Sequence, residues 1–203
     1  KEAFIKVLHL TLFLSLPISG IILVLGSNIV HIFFGDNWNP MVPSLMILSI
    51  YGISRSVNAI FGSFFQGIGR PEIITYGSIL QILLVIVIIY PLSIKYGIFG
   101  TSMAVTIPNL LVFLYLVYKI KSIFGFSFSF TRNILSPLLG TIIICIFLNT
   151  LESIVLINIF TLIILIFLGM VFYLLLSYKI DSLINKDVFY NFKTIYKGVS
   201  NDE

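Results

Sequence analysis

Six apolar segments follow one another along the chain, at about residues 7–34, 42–67, 71–94, 99–120, 134–150 and 153–178. The connections between them are short, the longest being residues 121–133. A bilayer core about 30 Å thick is crossed by about 20 residues of helix, with about 17 as the lower end. Inside lipid no water is present to satisfy backbone N–H and C=O groups, so a single-segment crossing has to be helical. Composition agrees: 59% of the 203 residues are hydrophobic and 10% are charged. Soluble domains run at about 45–50% apolar and about 25% charged. The mean hydropathy is +1.12. The expected fold is an all-α, polytopic membrane helix bundle of six transmembrane helices with a C-terminal amphipathic helix.

The breaks between segments carry turn chemistry. Gly35-Asp36-Asn37-Trp38-Asn39-Pro40 is a polar turn, with Trp38 suited to the water–lipid boundary. Gly67-Ile68-Gly69-Arg70-Pro71 stops one helix and starts the next. Tyr96-Gly97-Ile98-Phe99-Gly100 reads as a short glycine hinge. The longest connection, Phe124 to Asn133, reads as lying on the membrane surface. Pro17 removes a helix bond in the middle of the first segment and has Gly20 beside it, so both are hinge candidates. Pro108 interrupts the fourth segment in the same way and is the third. From Asp181 the pattern changes. Ile184, Val188, Phe192, Ile195, Tyr196 and Val199 fall at helical spacing, with Lys186, Lys193 and Lys197 mostly opposite. That is a short helix for an anionic membrane surface, or else a disordered basic tail.

The charge of +4 is an orientation signal, and no nucleic-acid partner is implied. Six spans put both termini on one side, and ten of the twelve Lys and Arg residues fall there. The opposite side has Lys95 alone, and Arg55 lies inside a span. The positive-inside rule then places both ends of the chain in the cytoplasm. Cys145, the single cysteine, sits in an apolar run, so no intrachain disulfide can form and a small buried hydrophobe is its plain reading. The chain starts Lys-Glu-Ala, which suggests a piece of a longer protein cut before a transmembrane helix.

Arg55 is the residue least expected in such a chain. An arginine at bilayer depth costs at least about 2.5–3.5 kcal/mol, even on the lenient insertion scale. Tyr51, Arg55, Asn58, Gly62 and Gln66 follow at steps of 4, 3, 4 and 4, one stripe on a helix. Such a stripe lines a transport cavity, or the arginine ties two helices together. Ser102, Thr106 and Asn109 form a second polar face at steps of 4 and 3. They line the cavity or hydrogen-bond a neighbouring helix. Gln81 is the one strongly polar group of the third segment and completes the set of cavity candidates. His31, at the end of its helix, reads as a wetted histidine and not a proton carrier.

No catalytic constellation is visible. There is no metal-ligand spacing, no GxGxxG and no P-loop. The two histidines, His9 and His31, lie at the two ends of one helix, and none of the eight acids is at mid-membrane. The expectation is a protein without metal or cofactor that is not an enzyme. A membrane glycosyltransferase is the alternative from that class, and it would need a carboxylate or a sizeable soluble loop at the interface.

The stretches IVHIFFGDNWNPMVPSLMILSIYGI and GSFFQGIGRPEIITYGSILQILLVIVIIYPLSIKYGIFGTSMAVTI together resemble the C-terminal half of Wzx-type polysaccharide flippases. These belong to the multidrug/oligosaccharidyl-lipid/polysaccharide exporter superfamily. The resemblance rests on Phe34-Gly35 with Trp38, on Gly67-Ile68-Gly69-Arg70-Pro71 and on Tyr96-Gly97-Ile98-Phe99-Gly100, in that order and spacing, over about residues 5–180. It implies two six-helix lobes around a central cavity. Residues 1–121 would be the last four helices of the second lobe, 122–133 a cytoplasmic connection, 134–180 an appended helix pair, and 181–203 a cytoplasmic tail. It also implies flipping of an undecaprenyl-pyrophosphate-linked oligosaccharide by alternating access. The partners would be membrane lipid, that cargo and the N-terminal lobe of the same protein. A drug or lipid exporter of the same superfamily is the nearest alternative, and a membrane polymerase or ligase of polysaccharide assembly, which would show a large external loop, is the alternative from another class.

Overall fold

The computed structural model describes the backbone of residues 2–124 and 128–184, and side chains over 3–123 and 135–180. Five long α-helices cover these residues: α1 (Glu2–Phe34), α2 (Val42–Gly67), α3 (Glu72–Phe124), α4 (Phe128–Glu152) and α5 (Ile159–Ile184). The chain is a helical membrane bundle. The six expected segments appear as five, because those at 71–94 and 99–120 adjoin at a kink at Gly97 with no loop between them and together make up α3. As a straight rod, its 53 residues would reach about 80 Å, far more than one crossing needs.

Instead α3 doubles back at Gly97, which takes φ 58°, ψ −132°, a conformation that strains any residue with a Cβ. The two arms, 72–96 and 98–124, then run antiparallel. Ser93 and Thr101 share a hydrogen bond of 2.9 Å across the bend. Gly77, twenty residues before it, packs against Val112 and Tyr115 of the other arm. Gly100 lies so close to the Leu92 carbonyl that no Cβ would fit. Five helices therefore still make six crossings.

The polar turn after α1 is a 3-10 helix, Asp36–Met41, entered through Gly35 at φ 82°. Trp38 is exposed there, with its ring against Phe34. His31 is exposed and meets Asp36. At the same end of the bundle Asn28 donates to Glu152 over 2.6 Å and ties α1 to α4. Before α5, the Asn158 N–H donates to Thr161 Oγ1 at 2.6 Å, a side chain reaching back to close the helix start. Helix α4 begins at Phe128, earlier than expected, so helix occupies part of what had been read as a surface connection. The proposed amphipathic helix from Asp181 lies mostly outside the described residues, since α5 ends at Ile184.

Helix α1 is the spine. Its first half (Leu8, Leu12, Leu16) packs with Val57, Phe61 and Phe65 of α2 and Ile73, Val112 and Leu116 of α3. Its second half (Ile21, Leu25) packs with Ile144 and Leu148 of α4 and Leu162, Leu165 and Tyr173 of α5. Lipid is as apolar as leucine, so helices in a membrane associate through close packing and hydrogen bonds and not through hydrophobic burial. Gly20 supplies that closeness between α1 and α4: a Cβ there would stand 2.9 Å from Thr141 Cγ2 and 3.0 Å from Cys145 Sγ. The residue expected as a hinge thus has a packing duty. Pro17 is fully buried between the two clusters, and Pro108 is fully buried next to Asn109.

Candidate functional site

The helix that carries Arg55 has two unlike sides. The buried side of α2 holds Ser44, Ser49, Ser54, Val57, Asn58, Phe61 and Phe65. The exposed side runs Leu48, Gly52, Arg55, Ala59, Ser63, Gln66, again at helical steps. Lipid-facing surfaces elsewhere in the bundle look different. The first arm of α3 exposes Ile79, Ile82, Leu83, Ile86 and Val87, and α5 exposes Ile163, Phe167 and Leu174. From Gly52 to Gln66 that side is a strip of small and polar residues around a guanidinium, which belongs against protein or water, not acyl chains. Among the described residues Arg55 makes no ion pair, so its charge is available to something outside them.

The stripe read from spacing is divided by the structure. At about 100° of rotation per residue, Arg55 and Gln66 fall on the exposed face, while Tyr51 and Gly62 sit half-buried at its edge. Asn58 lies beyond that edge and is buried against α3. The second polar face also turns inward. Ser102 and Thr106 are buried and satisfy their hydroxyls on the Phe99 and Ser102 carbonyls of their own helix. Asn109 has no exposed surface and bonds to α2. Gln81 is half-buried on the first arm of α3.

Asn58, Asn109 and Ser54 form one network. Asn109 Nδ2 donates to Ser54 Oγ at 2.6 Å. Asn58 Nδ2 donates to Asn109 Oδ1 at 3.0 Å and to the Asn109 carbonyl at 3.4 Å. Ser54 Oγ in turn donates to the Tyr51 carbonyl at 3.0 Å. Side-chain bonds between membrane helices contribute about 0.6 kcal/mol on average and about 1.7 at most. One acceptor, Asn58 Oδ1, is buried without a partner, a cost of about 1–3 kcal/mol that offsets part of the gain. On the other flank of α2, Ser19 of α1 donates to the Ser49 carbonyl at 3.0 Å. Helix α2 is thus held by polar contacts on both sides of its exposed face. Ser54 and Ser19 were not singled out from the sequence, because a serine in an apolar run is common and nothing local marks its partner.

No family model matches the chain. Two curated proteins are similar over part of it. One is an uncharacterized membrane protein in the cps region of Klebsiella pneumoniae, 26% identical over 99 residues, which is 49% of this chain and 20% of that protein. The other is the lipopolysaccharide biosynthesis protein WzxC of Escherichia coli strain K12, 31% identical over 70 residues, 34% of this chain and 14% of that protein. Among solved structures, the lipid II flippase MurJ in an inward closed conformation superposes with a TM-score of 0.67 at 20% identity. That match covers 91% of this chain and 38% of the MurJ chain, so the chain spans well under half of the structure it matches. The fold is that of part of MurJ, and the resemblance to Wzx-type flippases carried by the turn motifs is borne out.

Proposed function

We propose that this chain is the C-terminal part of a flippase that moves a lipid-linked oligosaccharide, an undecaprenyl-pyrophosphate-glycan, across a bacterial inner membrane by alternating access. It acts as a transporter and not as an enzyme. The likeness to WzxC and to MurJ supports the class. The observation within the chain that carries the reading is Arg55, an exposed cation on a small, polar face of an otherwise apolar bundle. Its guanidinium matches a phosphate with two parallel hydrogen bonds. The attraction of two unit charges at 4 Å is about 1 kcal/mol in water and about 4 kcal/mol at the effective dielectric of a protein surface. A partly dry cavity therefore makes a single arginine count. The relatives are longer than this chain, so transport is proposed for the full-length protein.

Cells lacking that protein should accumulate lipid-linked oligosaccharide and lose surface polysaccharide, and both should recover on reintroduction. An unchanged lipid-linked pool with altered efflux of lipophilic compounds would instead favour the drug or lipid exporter.

We also propose the orientation set by the basic residues. The turn at Asp36–Met41 faces outward, and the α2–α3 connection with Arg70 faces the cytoplasm. In an otherwise cysteine-free protein, an impermeant thiol reagent added to intact cells with a permeabilised outer membrane should label Asn37→Cys and spare Ile68→Cys. The reverse pattern would overturn the topology.

A further inference from the structure

Helix α2 presents Arg55 only if it is held at the right rotation about its own axis. Its neighbours α1 and α3 fix that rotation, and the apolar part of the contact (Val57, Phe61 and Phe65 against α1 and α3) is non-directional. Hydrogen bonds are directional. The ones nearest Arg55 come from a single residue in α3: the Asn109 side chain binds Ser54, the residue before Arg55, and Asn58, the residue three after it, and the Asn109 carbonyl accepts a longer bond from Asn58. Both partners lie within one turn of Arg55, about 100° and about 60° round the helix from it. The network is buried in the bundle, with Asn109 at 0% and Ser54 at 4% exposure, and lies off the exposed face that carries Arg55.

We infer that Asn109 is a positioning residue: by bonding the two α2 side chains that flank Arg55, it sets the direction in which the guanidinium leaves the helix. The inference rests on the reading of Arg55 as the cargo-facing cation. Pro108 immediately precedes Asn109 and is fully buried. Its ring removes one backbone donor from α3 at this point, leaving the local backbone less constrained by its own ladder. A turn of α2 by one residue would carry Arg55 toward the α3 contact and leave Ser54 and Asn58 without Asn109.

The test reads the rotation of α2 without any cargo. Tyr51 is half-buried at the border of the exposed face nearest α3, and Ser56 is half-buried at the border nearest α1. Tyr51→Cys and Ser56→Cys are introduced singly into an otherwise cysteine-free full-length protein and labelled in membranes with a water-soluble maleimide. Asn109→Leu keeps the branched shape and removes both side-chain hydrogen bonds, leaving the longer one from Asn58 to the backbone carbonyl of residue 109. It should change the ratio of the two labelling rates by about threefold or more, the scale of one average interhelical bond. General loosening would raise both rates together and leave the ratio alone, and that outcome overturns the inference. Ser54→Ala, which removes only one acceptor, should shift the ratio in the same direction by less, and it keeps the question answerable if Asn109→Leu fails to accumulate. Because labelling needs no cargo, normal export by an Arg55 variant would sink the functional proposal and leave this result standing.

Discussion

Replacing Arg55 by alanine in the full-length protein should reduce glycan export by about 30-fold or more, at unchanged abundance in the membrane. Truncating one partner of a hydrogen-bonded charge pair costs about 2–5 kcal/mol, and about 1.4 kcal/mol is a factor of ten. The fold should not suffer, because Arg55 is exposed and makes no hydrogen bond or ion pair among the described residues. Arg55→Lys should fall between the two. It keeps the charge and loses the two-pronged geometry that a phosphate accepts. The measurements are surface polysaccharide, the pool of lipid-linked intermediate and the amount of protein in the membrane. Normal export by Arg55→Ala would show that the cargo is held elsewhere. Loss of export accompanied by loss of the protein would instead make Arg55 a structural tie to another part of the full-length chain.

The second large effect is expected at Gly100. An alanine there would push its Cβ into the carbonyl of Leu92, backbone against backbone. No flexible side chain is present to yield, so the two arms of α3 would have to separate at the bend. Overpacking of even a tolerant core costs about 1–3 kcal/mol, and this site has no slack to absorb it. Gly100→Ala should therefore accumulate poorly and lose its monodisperse peak in mild detergent. Gly97→Ala should be milder. No atom outside its chain neighbours lies within 4 Å of its would-be Cβ, and the penalty is the positive φ alone, about 1–3 kcal/mol. Gly52→Ala is the control, with open space around it in an ordinary helix, where alanine is favoured by about 0.5–1 kcal/mol. If Gly100→Ala melts at the same temperature as the parent, the antiparallel closure of α3 is wrong.

Much of this molecule can be read directly from its residues, and the readable part shares one physical character. Whether a segment enters lipid depends on its own length and apolarity. Where it stops depends on glycines and prolines within a few residues. Helix α2 accordingly occupies the expected 42–67, and the glycine pairs at Gly67/Gly69 and Gly97/Gly100 sit at its end and at the bend of α3. The pairing of the two arms of α3 also has a local origin: a glycine with φ 58° reverses the chain between two helices that follow one another with no loop between them.

The rotation of each helix was decided only by its neighbours. A spacing of 4, 3, 4 and 4 puts Tyr51, Arg55, Asn58, Gly62 and Gln66 on one stripe, but that stripe is broad enough to straddle a packing border. Packing against α3 draws Asn58 inward, to Asn109, and leaves Arg55 and Gln66 outside. The same holds for Gly20, whose packing role shows only once α4 is seen resting on it, with Thr141 and Cys145 where a Cβ would stand. A residue's type states what it can bond or how closely it can be approached. Which neighbour arrives to use that capacity is a property of helices far apart in the chain, here 51 residues for Asn58 and Asn109, and no local pattern encodes it.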